Sequence, residues 1–170
     1  MSGWGASTYG DPCRECGFRW SIAPHEASAL VAETPSKLRQ TLSEADGSER
    51  HAELRWSVTA YVSHIADNLR IWAERLAAIS AGDRRPVPPY DDNLLAEARR
   101  YNDLSLPGAL WSLDRAVKEW LEAVEIAGVA GIVLEHPDRG EQTLDDVIRS
   151  NAHDACHHQW DVERTLESVE

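Results

Sequence analysis

Basic residues are scarce in this chain: 17 Lys and Arg stand against 29 Asp and Glu, for a formal net charge of −12. A surface of that sign repels a phosphate backbone unless its few cations cluster, so nucleic acid is not an expected partner. Long apolar runs are missing too. No stretch approaches the roughly 20 residues that cross a bilayer, and the opening MSGWGASTYGDP has neither a basic region nor an apolar signal core. The expectation is a cytoplasmic protein with no membrane partner. Cysteine is sparse as well. Cys13, Cys16 and Cys156 are an odd count that does not build a secreted disulfide framework, which leaves metal ligation or thiol chemistry as the better reading.

What remains is an ordinary globular composition, 42% hydrophobic and 27% charged over 170 residues, enough for one domain with its own core. Residues 1–23 read as an N-terminal arm carrying the Cys13-Arg-Glu-Cys16 segment, its first 12 residues non-periodic and mobile. Residues 24–170 read as a helical domain. A helix over about 24–45 should break near Thr34-Pro35, because proline disfavours helix at the residue before it. Ser57 can cap a second helix running to about Ala81, whose Val58, Tyr61, Ile65, Leu69, Trp72, Leu76 and Ile79 form a bundle seam. The proline-rich stretch from Gly82 to Asp92 is a stiff connector long enough for a crossover.

A short helical piece near 92–101 follows, and Ser105 and Pro107 open a third main helix that should end at Gly128. Ile132-Val-Leu and His136-Pro-Asp-Arg-Gly140 suggest a short extended pair. Thr143 with Asp146 then makes a capping box for a final helix reaching about Leu166. The fold class that follows is all-α, a four-helix bundle with one long crossover connection. Trp56, Trp72, Trp111, Trp120 and Trp160 fall at helical positions; most read as core and rim packing, and some are candidates to line a pocket.

Histidines concentrate in the last helix. Advancing about 100° per residue, its buried face is Leu144, Ile148, Ala155, Val162 and Leu166, with His158 about 40° and Asp154 about 80° off that face on the same side. In the second helix His64 flanks the seam. Two imidazoles and a carboxylate from two helices form a ligand set that suits Zn²⁺, Ni²⁺ or Fe²⁺ and leaves coordination positions open. His153 and His157 point to the far side of the last helix. They are either a surface pair with no role or half of an outer structural zinc site completed by Cys13 and Cys16, with Cys156 able to replace one ligand or to stand as a buried thiol. A thioredoxin-like role for the Cys pair is weaker, since no βαβ pattern surrounds it.

The segment Trp56-Ser57-Val-Thr-Ala-Tyr-Val-Ser-His64-Ile-Ala-Asp67, together with Asp154-x-x-x-His158, resembles the DinB-like superfamily over about residues 24–166. That superfamily includes mycothiol- and bacillithiol-dependent transferases, a maleylpyruvate isomerase and many members of no known activity. The resemblance implies a divalent metal at one end of the bundle, held at positions matching His64, Asp154 and His158. Asp154 stands where the family usually has His or Glu, and the Cys13/Cys16 segment lies outside the shared core. The function expected is a metal-dependent enzyme acting on a small-molecule substrate, in which the ion activates mycothiol or another low-molecular-weight thiol, or water. The alternative is a non-catalytic metal- or ligand-binding module with a structural zinc clasp. Bundles of this kind often pair through their helix faces, so a homodimer is compatible with the sequence.

Overall fold

The structure, a computed structural model, describes residues 4–168, so the outermost ends of the expected arm and helical domain, residues 1–3 and 169–170, lie outside the described residues. Its elements in chain order are α1 (Ala6–Tyr9), α2 (Pro24–Thr41), α3 (Val58–Ser80), α4 (Asp92–Ala98), a 3-10 turn (Tyr101–Asp103), α5 (Leu106–Ala130), β1 (Val133–His136), β2 (Gly140–Thr143) and α6 (Leu144–Glu167). The four long helices α2, α3, α5 and α6 form the bundle. α3 packs mainly on α5 and α2 on α6, while α3·α6 and α2·α5 contacts close the ring. Among the described residues no helix is long and apolar enough to cross a membrane.

The helix starts follow their local chemistry. Ser57 accepts from the Ala60 amide, Ser105 from the Gly108 amide, and Thr143 from the Asp146 amide while Asp146 Oδ2 accepts from the Thr143 amide at 2.9 Å. Each cap satisfies an amide that the first helical turn leaves without an internal partner. α3 is the central element: every residue from Val58 to Leu69 is buried. Burying a polar side chain costs free energy unless a partner satisfies it, and that stretch buries Thr59, Ser63, His64, Asp67 and Asn68.

The expected break at Thr34-Pro35 does not occur; α2 runs unbroken through Pro35. Interior proline removes one helical hydrogen bond and costs about 3 kcal/mol. Here Pro35 is itself buried between Val31 and Leu38, both fully buried, and packing against α5 and α6 holds the turn in helical form. Two further expectations are corrected. Trp56 sits in the turn before α3 and not in a helix, and Trp111 is 66% exposed, so it packs no core. By contrast Trp120 is fully buried, and its Nε1 donates to Asn151 Oδ1 at 2.8 Å, tying α5 to α6.

The connector from α3 to α5 crosses the bundle end. It is anchored by the Val87 amide, which donates to the Glu135 carbonyl of β1 at 2.9 Å. β1 and β2 form a two-stranded antiparallel hairpin with His136 opposite Gly140. The described part of the N-terminal segment, from Trp4 on, is packed against the bundle: Trp4 and the α1 residue Tyr9 pack on Trp20, and Tyr9 also meets His153 of α6. Aromatic contacts with α6 supply the order that the segment's own sequence does not.

Candidate metal centre

The structure brings together His64 from the second turn of α3 and Asp154 and His158 from successive turns of α6. One donor atom from each lies within 4.8 Å of the others. His64 Nε2 is 3.5 Å from Asp154 Oδ1, and His158 Nε2 is 3.6 Å from the same oxygen. Charge-assisted hydrogen bonds to a carboxylate close to about 2.7–2.9 Å. These groups stand further apart. Two ligands about 2.05 Å from one ion at tetrahedral angles are separated by about 3.3 Å, so the observed spacing fits donors arranged around a cation.

The surroundings bear on the same question. His64 is 3% exposed, and its Nε2 has no hydrogen-bond partner, an uncommon state for a buried polar atom. His158 Nδ1 lies 2.9 Å from Asp161 Oδ2, which fixes the ring so that Nε2 faces the other two donors. Asp154 Oδ2 accepts from Asn68 Nδ2 at 2.8 Å, and Asn68 Oδ1 accepts in turn from the Tyr90 hydroxyl at 2.9 Å. Asp154 is thus left one oxygen, Oδ1, facing both histidines. An orphaned nitrogen, a ring oriented by a carboxylate and a carboxylate oriented by an amide are the features that metal ligands share, and the three residues fit a divalent ion.

Electrostatics agrees with the geometry. Burial pulls the His64 pKa down, but the carboxylates of Asp154, first among them, Asp92 and Asp67 together outweigh it and the net shift is upward. Burial would raise Asp154, yet the two imidazoles and the Asn68 donor hold it well below the ordinary carboxylate range. Both directions describe an ionised carboxylate stabilised by positive charge on the imidazoles that face it. Asp92 Oδ1 is 3.9 Å from His64 Nδ1, and its carboxyl is raised by burial. One turn beyond His64 on α3, buried Asp67 accepts from the Tyr101 hydroxyl at 2.6 Å, from Arg99 Nε at 2.8 Å and from Arg70. This network pins the connector to α3 beside the site.

A cavity of about 290 Å³ adjoins Asp154 and is lined among others by Trp20, Asn68, Trp72, Arg75, Tyr90 and Arg139. The Trp56 ring lies 4.9 Å from the His64 ring and the Tyr61 ring 5.4 Å from the His158 ring, closing the far side. Helical phase alone finds His64, Asp154 and His158. It misses Asp161, Asn68 and Tyr90. Asp161, three residues after His158, had a spacing signal in its place one turn on; Tyr90 had none, since only the crossover brings it near.

The second predicted group also comes together. Cys13, Cys16, His153 and His157 offer donors within 4.8 Å of one another, and Cys156 is not among them. All three thiols are free. His153, expected on an outward face, is 5% exposed because the N-terminal segment covers it. Trp160 lies near His157 and Arg164, and it is Tyr9, Phe18 and Trp20 that surround His153.

The bundle fold matches that of YfiT from Bacillus subtilis, described as a probable metal-dependent hydrolase with an unusual four-helix bundle topology. The TM-score is 0.75 at 19% sequence identity, covering 89% of this chain and 91% of that one. No curated protein matches the chain. The family profile of the DinB superfamily matches residues 31–162, a span that contains His64, Asp154 and His158 and leaves out Cys13 and Cys16. The chain belongs to the DinB superfamily.

Proposed function

We propose that the protein is a metal-dependent enzyme whose divalent ion is held by His64 Nε2, His158 Nε2 and Asp154 Oδ1. The observation that carries this reading is His64 Nε2, buried without a partner and directed at a carboxylate oxygen that a second imidazole also faces. Two neutral nitrogens and one carboxylate suit Zn²⁺, Ni²⁺ or Fe²⁺. When bound, such an ion supplies a Lewis acid that lowers the pKa of a coordinated low-molecular-weight thiol, mycothiol being one candidate, or of water.

The chain's own residues then do the positioning. Asp161 fixes the His158 ring, and Asn68, itself held by Tyr90, fixes the Asp154 carboxylate. The cavity next to Asp154 takes a small electrophilic substrate. Trp20, Trp72 and Tyr90 offer flat apolar walls, and Arg75 and Arg139 offer guanidinium groups for an anionic substituent.

A thiol nucleophile is the first reading, and the description of YfiT as a probable hydrolase favours water as the second. Turnover of a panel of small electrophiles and esters by the metal-loaded protein, with and without thiol, separates them. Dependence on both metal and thiol supports the transferase reading, and metal-dependent turnover without thiol supports the hydrolase. Full turnover by His64→Ala, or by wild-type protein freed of divalent ions, would overturn both.

A further inference from the structure

We propose that the protein carries a second metal site, a tetrahedral zinc centre made by Cys13, Cys16, His153 and His157, which fastens the N-terminal segment to α6. Its basis is independent of the bundle site. Cys-x2-Cys and His-x3-His each present two ligands on one side of a tight turn or one face of a helix, and together they make the Cys₂His₂ set of closed structural zinc sites.

The local backbone is built for it. Cys13 to Phe18 is a closed turn in which the Cys13 amide donates to the Phe18 carbonyl at 2.7 Å and the Gly17 amide to the Cys13 carbonyl at 3.0 Å. Gly17 takes φ +73, which lets the chain reverse directly after Cys16. Both thiols are thereby aimed at α6. Cys13 Sγ lies 4.0 Å from His157 Nδ1, a separation in keeping with two ligands of one ion and too long for a strong hydrogen bond.

The histidines are each prepared as ligands. His153 Nε2 is buried with no hydrogen-bond partner, inside a box of Tyr9, Phe18 and Trp20 whose ring centres lie 4.5, 5.5 and 4.6 Å from the imidazole. His157 turns Nδ1 to Cys13, while its Nε2 lies 3.4 Å from the Glu15 carboxylate, an orienting partner of the kind zinc-bound histidines keep. Charge balance suits the apolar box: two thiolates and two neutral imidazoles cancel Zn²⁺ exactly to zero. Loading releases the two thiol protons to solvent. The ion also has a structural consequence. The segment it pins contributes Trp4, Gly5, Tyr9 and Trp20 to the cavity beside Asp154, so the clasp holds one wall of that cavity in place.

The test uses the full chain in four forms: wild type, His64→Ala/His158→Ala, Cys13→Ser/Cys16→Ser and Cys156→Ser. Metal content is measured after purification, and each form is reloaded with Co²⁺ for its absorption spectrum. The histidine variant is expected to keep one equivalent of zinc and to give thiolate-to-cobalt charge-transfer bands. The double-serine variant loses that equivalent and those bands, and Cys156→Ser keeps both. Chelation of the histidine variant should also expose the segment to trypsin after Arg14 and Arg19. If the double-serine variant does not fold, the cobalt spectrum of the histidine variant still decides. No zinc and no thiolate bands in that variant, or their loss in Cys156→Ser, overturns the clasp. Loss of the histidine-dependent equivalent alone touches only the bundle site.

Discussion

His158 and Asp161 stand one turn apart on α6, with Nδ1 of the imidazole 2.9 Å from Oδ2 of the carboxylate, and this contact turns Nε2 toward Asp154 and His64. Asp161 is buried and cannot itself reach the donor cluster, so it acts through the ring. Carboxylates in this role are worth about 10–100-fold in metal affinity. Asp161→Ala should weaken the bundle-site metal by that factor while leaving the cysteine-dependent equivalent in place, as read by competition with a calibrated chelator. Asp161→Asn, which keeps an acceptor for the Nδ1 proton, should lose less.

His136 gives a pH dependence with a definite sign. Burial, helped by Arg139, lowers its pKa, and its Nδ1 accepts from the Asp138 amide at 3.2 Å, a bond only the neutral ring makes. The unfolded chain protonates this histidine near its ordinary value of about 6.5, before the folded protein does. Below that pH the unfolded state therefore binds more protons, and stability falls as pH drops through the window under about 6.5. The contribution is present in full above it. Denaturant midpoints from pH 8 down to 5 should fall more steeply in wild type than in His136→Asn; equal slopes would contradict the assignment.

Trp120→Phe removes the indole donor that satisfies buried Asn151 Oδ1. An unsatisfied buried acceptor costs about 1–3 kcal/mol, and the lost ring volume adds a small cavity penalty. The variant should unfold at lower urea with an unchanged slope and keep its metal content, because neither Trp120 nor Asn151 belongs to either donor cluster.

Gly47 adopts φ +91, and a Cβ there would run into Thr59 Oγ1 and Leu106 Cβ. The Thr59 amide donates to the Gly47 carbonyl at 2.9 Å, so the loop cannot move away without losing that bond. Left-handed strain costs about 1–2 kcal/mol, and overpacking that the neighbours partly relieve adds about 1–2 kcal/mol, the lower part of its usual range. Gly47→Ala should therefore cost about 2–4 kcal/mol by chemical denaturation, and a near-neutral result would mean that the loop is free to shift.

The bundle was readable because α3 and α6 carry their caps and apolar stripes in full, and a periodic stripe fixes a helix's phase. That phase is why His64, Asp154 and His158 could be named from spacing alone. Continuity through Pro35 was hidden because it depends on packing from α5 and α6, which local proline chemistry does not contain. The packing of the N-terminal segment was hidden for the same reason: Trp4, Tyr9 and Trp20 have no periodic pattern, and Tyr9 and Trp20 meet His153 on a helix distant in sequence. His153 in turn looked outward only while nothing was known to cover it. Tyr90 and Asn68 meet through the crossover, a contact with no signature in the spacing of either residue.

The central claim is that His64, Asp154 and His158 share one cation. It is tested most directly by crystals of the protein grown with Zn²⁺ and measured on both sides of the zinc absorption edge. The account predicts an anomalous peak within bonding distance of His64 Nε2, His158 Nε2 and Asp154 Oδ1. An edge-dependent map with no peak between those three atoms, or with Asp154 closed onto the two imidazoles by direct hydrogen bonds, would contradict it.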